Sequence, residues 1–320
     1  MKLHLQKIKQ LYGDMKLESK FTLVLILAVT IPVILMGCFF YGKLYEMVVS
    51  YTIRQEQDVS AKTAPLIEDS LQQVIDAHDT ITDLDFFQTL FHQPVNSPFK
   101  MFDNTSEVKD FHDQVEQLIS SEKITGLQIY IDLPGTSMRL FQNELTRDYF
   151  APMSRARGTY WYGIFQGTHN STLYCPPFYL GQREIQNLGD MAYITATTFY
   201  YQGVAYPAYI ATYFSGDNFT RILQDNLTLS GSVSYIVNDR NAVVASSDIS
   251  LSGIYWLDYS SIQDSFMSSN NFIERDILDT KVYAGFYNIK QAGWFMVTVL
   301  PSGPLIHQSN MIMFQYFLLF

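Results

Sequence analysis

The sequence predicts an α+β chain anchored in a membrane, and three observations carry that reading. Residues 21–41, "FTLVLILAVTIPVILMGCFFY", hold no charged side chain and match the roughly 20 residues a helix needs to cross ~30 Å of hydrocarbon. From residue 124 to 301 the apolar positions fall in short β-rich runs broken by Gly, Asn and Asp, the pattern of hairpins. Those runs come twice in the same order, accompanied by helix-like stretches, so two antiparallel sheets backed by helices are expected.

Composition excludes some classes of function. With 48% hydrophobic and 15% aromatic residues among 320, the chain can fill more than one core and is not a disordered polymer. Its 21 basic and 31 acidic residues leave a net charge of −10, which repels a phosphate backbone, so nucleic acid is not an expected partner.

Taken in order, residues 1–20 carry Lys2, Lys7, Lys9, Lys16 and Lys20 against Asp14 and Glu18. Cytoplasmic flanks favour Lys and Arg, so the N-terminus is expected inside and the acidic remainder outside. The apolar run exceeds the roughly 7–15 residues of a signal-peptide core, and "MGCFF" gives no small-x-small cleavage site, so the segment reads as a retained transmembrane anchor. A long helix leaving the membrane is expected over 42–85, from Leu44, Met47, Val48, Tyr51, Leu66, Leu71, Val74, Ile75, His78 and Ile81 at spacings of three and four. Pro65 is expected to interrupt it. A second helix over 105–122 puts Val108, Phe111, Val115, Leu118 and Ile119 on one face, with Asn104 or Thr105 as N-cap.

"GLQIYIDLPGTSMRLF" then reads as a strand, a Pro-Gly turn and a strand, and "GSVSYIVNDRNAVVASS" has the same layout. "AYITATTFYYQGVAYPAYIATYF" and "KVYAGFYNIKQAGWFMVTVLP" form a second matching pair, each two strands around a turn containing Gly and each followed by a helix-like run. Two subdomains follow, a membrane-distal one over 86–215 and a membrane-proximal one over 216–303. Residues 304–320 read as the start of a truncated second transmembrane helix, which would hold the domain to the membrane at both ends. Cys175 has no second cysteine in this region, so no internal disulfide is expected.

The long exit helix, the hairpin "SYIVNDRNAVVASS" and the closing "AGFYNIKQAGWFMVTVLPSGPLI" together resemble the double Cache sensor domain of bacterial membrane receptors. Within that group the chain is most similar to the sensor portion of YesM-type histidine kinases. The resemblance implies two tandem PAS-like subdomains and a small ligand bound in the distal one, with a Trp-Tyr pair near the pocket. Trp161 and Tyr162, within "RARGTYWYGIF", fit that pair, where aromatic faces can stack on a ligand or hold a cation. Aromatics are also favoured at the core or edge of a sheet, which is the alternative reading of this stretch. Amino-acid-binding members place an Arg two residues before the Trp and an Asp at the end of the last distal strand. Here Thr159 and Tyr213 stand at those places, with Arg157 and Asp217 out of register, so amino-acid sensing is not favoured. Arg157, Tyr179, Tyr193 and Tyr213 complete the candidate ligand-binding residues, with Tyr149 as a further candidate.

No enzyme signature is present: neither a Gly-x-Ser-x-Gly elbow, nor a phosphate-binding Gly-rich loop with Lys, nor a His-Glu-x-x-His helix occurs. No cofactor, metal or catalytic residue is expected. The resemblance implies the extracytoplasmic sensor of a two-component histidine kinase lacking its cytoplasmic HAMP and kinase segments. The expected partners are an unknown sugar, organic acid or amino acid, the cell membrane, a second copy in a parallel homodimer, and a cognate response regulator if the kinase is present. A chemoreceptor or diguanylate cyclase with the same sensor, or a surface-anchored binding or adhesion protein, are the alternatives.

Overall fold

A 66-residue helix, α1 (Leu17–Thr82), begins the computed structural model, which describes residues 16–91, 105–132, 143–168, 170–201, 203–258 and 272–319. The apolar side chains from Val24 to Phe40 on this helix are exposed, as a lipid-facing span requires. Contrary to expectation, Pro65 does not end the helix. Its missing N–H frees the carbonyl of Ala61, and both residues lie on the exposed side of the helix where water can satisfy that group. The opposite face, Ala64, Ile67, Leu71 and Val74, is buried in a core, and this burial outweighs one lost hydrogen bond.

The short helix α2 (Asp85–Phe91) and α3 (Thr105–Ser120) follow, the latter within two residues of its expected end. The first sheet is built from β1 (Gly126–Ile131), β2 (Phe150–Ala151), β3 (Thr172–Cys175), β4 (Met191–Tyr201) and β5 (Val204–Phe214), in the order β2-β1-β5-β4-β3. Between these strands lie α4 (Met153–Ala156), α5 (Tyr160–Gly167) and α6 (Gln182–Asn187). The Pro-Gly turn expected after β1 lies outside the described residues. Among the described residues, β1 pairs with the distant β2 in parallel and with β5 antiparallel.

After α7 (Asp217–Asp225) comes a second sheet of β6 (Val233–Val237), β7 (Val243–Ser246), β8 (Ile273–Ile277), β9 (Thr280–Ile289) and β10 (Trp294–Pro301), with α8 (Ile249–Ile254) after β7. Its order is β7-β6-β10-β9-β8; counted from its own first strand, it repeats the first sheet. The hairpins expected at "GSVSYIVNDRNAVVASS", at β4–β5 and at β9–β10 are present. Gly203 and Gly293 turn the latter two with φ of +80° and +65°, a region that L side chains avoid. Helix α9 (Ser302–Leu319) ends the chain.

Residues 56–300 form one unit and the flanking residues another. Within the first of these, α1 runs along one face of both sheets. Ser60 shares its hydroxyl with Thr298 at 3.1 Å, and Thr298 in turn meets Ser234 at 3.1 Å on the second sheet. At a rise of ~1.5 Å per residue, His78 lies roughly 27 Å further along the helix. There it bridges Thr212 at 2.8 Å and Thr195 at 3.0 Å on the first sheet.

Candidate ligand site

The stretch "RARGTYWYGIF" is neither strand nor sheet edge. Thr159 caps α5 by accepting the backbone N–H of Tyr162, and the four-residue spacing of Trp161 and Phe165 turns both to the buried side. Trp161 has no solvent exposure and packs edge-on to Tyr209, with ring centroids 5.3 Å apart. Tyr130 of β1 lies 5.4 Å from it.

This aromatic layer surrounds a buried carboxylate. Glu184, on α6, is 6% exposed. Its Oε1 accepts the phenol of Tyr130 at 2.6 Å, the phenol of Tyr213 at 2.5 Å and the indole N–H of Trp161 at 3.2 Å. Its Oε2 reaches back to the N–H of Gly181 at 2.6 Å, satisfying a donor that the start of a helix leaves open. The two phenol oxygens are 2.9 Å apart. Burial, then the charge of Glu184, holds the hydroxyl of Tyr130 well above the usual phenol range, and burial, then the Tyr130 phenol and Glu184, does the same for Tyr213, so both remain donors at any physiological pH. Burial, then the charge of Glu184, pushes the thiol of the fully buried Cys175 up as well, so it is a poor nucleophile.

The remaining candidates divide among other places. Tyr179 belongs to the same buried cluster as Trp161 and Tyr213, but its hydroxyl is turned to Asn238, whose Nδ2 donates to it at 3.1 Å. Tyr162 is half-buried, 5.8 Å from Tyr209. Arg157 does not reach the cluster; it is exposed and pairs with Asp132 at 3.0 Å. Tyr193 lies on the opposite face of the sheet, edge-on to His78 at 5.0 Å, because its odd position on β4 alternates with Ala192 and Ile194, which face Trp161. Tyr149 donates to Glu116 at 2.7 Å, on the α3 side of the sheet. Asp217 instead lines a groove of about 1050 Å³ together with Asp190, Thr220, Gln224, Ser247, Asp248 and Trp256. Two of those carboxylates are structural: Asp190 accepts the N–H of Gly216 at 2.8 Å, and Asp248 caps α8.

Sequence reasoning missed Glu184 and Tyr130. Gly181-x-x-Glu184 was a readable signal, since a Glu at the third helical position commonly reaches back to the residue before the helix. Nothing in the sequence marked Tyr130, which sits in a six-residue strand buried at every position.

No family model matches the sequence and no curated protein matches it. Solved structures do share its architecture. The periplasmic sensory domain of the Campylobacter jejuni chemoreceptor Tlp1 aligns with a TM-score of 0.56 at 9% identity, over 81% of this chain and 98% of that one. This chain has the double Cache fold. Two other similar structures are the sensory domain of Campylobacter jejuni Tlp3 with isoleucine bound, at 0.47 and 12% identity over 82% and 97% of the two chains, and the ligand-binding domain of the Pseudomonas aeruginosa chemoreceptor PctC in complex with GABA, at 0.45 and 15% over 78% and 99%. In double Cache terms the Glu184 cluster belongs to the first of the two sheets, on the face away from α1.

Proposed function

We propose that this chain is the extracytoplasmic ligand-sensing region of a bacterial transmembrane receptor, with its N-terminus in the cytoplasm and its first subdomain distal to the membrane. One observation carries this: a single helix holds the exposed apolar run at 21–41 and then, from Ser60 to Ile81, the contacts to both sheets. A change of arrangement in the first subdomain therefore acts on the same helix that carries the apolar run. A ligand that binds one arrangement better biases the helix by the difference in affinity. The ligand is a small molecule, a sugar, organic acid or amino acid, held on the α5–α6 side of the first sheet around Trp161, Tyr162, Tyr179 and Tyr213. The proposed receptor works as a parallel homodimer, with α1 of two copies side by side.

Two outputs suit this sensor. The likeness to the Tlp1 sensory domain favours a chemoreceptor at least as well as the histidine kinase that the sequence suggests. The coding sequence after codon 320 separates them: a kinase region with its phosphoacceptor His supports the second, and a long helical signalling hairpin supports the first. Binding itself is tested by a thermal-shift screen of the purified chain against sugars, organic acids and amino acids. A compound that raises the melting temperature of wild type, and does so less for a Tyr179→Ala or Tyr162→Ala variant, supports the reading. No stabilising compound across the three classes counts against it.

A further inference from the structure

The arrangement around Glu184 has the composition of a receptor for a carboxylate. Three side-chain donors from three separate elements, Tyr130 on β1, Tyr213 on β5 and Trp161 on α5, converge on one oxygen within 3.2 Å. All three are buried, at 3%, 0% and 0% exposure. Each is neutral, so the carboxylate is recognised by converging hydrogen bonds in a dry setting where they are strong. The bond from Gly181 to the other oxygen belongs to the start of Glu184's own helix and is not part of this receptor.

The carboxylate comes from a short helix flanked by Leu180 and Leu188, which pack in the same cluster. Glu184 is the only buried residue of the six-residue α6, and its neighbours Gln182, Arg183, Ile185, Gln186 and Asn187 are exposed. Removing the Glu184 side chain leaves the Trp161 indole N–H and one of the two phenols without an acceptor, since Tyr130 and Tyr213, 2.9 Å apart, satisfy only one donor between them.

We propose that Tyr130, Tyr213 and Trp161 form a carboxylate-binding site that Glu184 fills as a tethered ligand, and that a small molecule bearing a free carboxylate is the ligand class that competes with it when α6 withdraws. The biological role of such competition rests on the sensor reading above; the binding chemistry does not. A free carboxylate replaces Glu184 without changing the charge inside the cluster. A carboxamide or alcohol brings donors of its own to a cluster already made of donors, so the site discriminates against them.

Glu184→Ala deletes a CH₂–carboxylate fragment, which acetate reproduces. The test uses the full chain in detergent micelles, with acetate as probe and acetamide as the neutral control of the same shape. Acetate is expected to bind Glu184→Ala in the millimolar range by calorimetry and to raise its melting temperature, while acetamide does neither. Wild type should bind acetate about tenfold more weakly or worse, because a tethered carboxylate acts at high effective concentration. Adding Tyr213→Phe to Glu184→Ala should reduce the acetate response. A folded Glu184→Ala protein that ignores acetate, or responds equally to acetamide, overturns the proposal. If Glu184→Ala does not fold alone, it is refolded with each probe: recovery with acetate only supports the site, and recovery with neither, or equally with both, overturns it. A wild-type ligand found in the screen while Glu184→Ala ignores acetate leaves the sensor reading intact and removes this one; the reverse result removes only the sensor reading.

Discussion

Trp161 shows how far one side chain can combine packing and polarity. It is fully buried against Tyr130, Phe165 and Tyr209, and it also donates to Glu184. Trp161→Ala removes both contributions and is expected to destabilise the fold by about 3–5 kcal/mol, measured by urea unfolding. Trp161→Phe keeps most of the ring and loses the charge-assisted bond, for a smaller cost of about 1.5–3 kcal/mol. A loss below about 1 kcal/mol for the alanine variant would mean that the site can collapse around the missing ring. Glu184→Gln changes a single atom type, yet its amide N–H would face either the N–H of Gly181 or the converging phenols. It should cost about 1–3 kcal/mol for the donor left unsatisfied, and Glu184→Asp, which keeps the charge but is one methylene shorter, tests whether reach matters as much as charge.

At the scale of the element, α1 is held to the first sheet by a buried His. Burial holds His78 at about 4, so at neutral pH the ring is neutral and bridges the two hydroxyls as one donor and one acceptor. The unfolded chain protonates near 6.5 and therefore binds more protons than the folded chain between these values. The stabilisation is complete above about pH 6.5 and is lost progressively as the pH falls toward 4, by about 3 kcal/mol in all. Stability of His78→Gln, measured over the same range, should show a flatter slope; an unchanged slope would assign the acid sensitivity to other groups. Leu71 belongs to the face that lets the helix run through Pro65, and it is fully buried. Leu71→Ala is expected to cost about 2–5 kcal/mol, with both sheets affected because their shared core holds Met191 and Phe214 of the first and Ile236 and Met296 of the second.

For the whole molecule, orientation in the membrane is the property on which the proposed function depends. Asn187 is exposed at the end of α6, Cys175 is buried, and Cys38 lies within the apolar run. Asn187→Cys should therefore react with a membrane-impermeant maleimide on intact cells, to an extent equal to that after lysis. Labelling only after lysis would reverse the topology and remove the sensor reading with it. The repeated strand order of the two sheets also implies that each subdomain has its own core, seen in the separate apolar clusters around Trp161 and around Tyr235. What joins them is α1 together with the shared core of Met191, Phe214, Ile236 and Met296.

The sequence by itself determined the elements whose signals are local. The uncharged run at 21–41, the three hairpins with their turn residues and the amphipathic face of α3 follow from spacing and composition, because helix and strand periodicities and turn chemistry act over a few residues. The doubling of the sheets was legible for the same reason. Only the tertiary structure decided how Pro65 is accommodated, since the freed carbonyl of Ala61 is tolerable on an exposed face and costly on a buried one. It also decided which aromatics share a site: Tyr193 and Tyr213 read alike in sequence, but strand alternation and the pairing of β4 with β5 place them on opposite faces. Glu184 became the centre of the cluster through contacts 23, 29 and 54 residues away in the chain, and no local pattern encodes which distant donors will converge on a carboxylate.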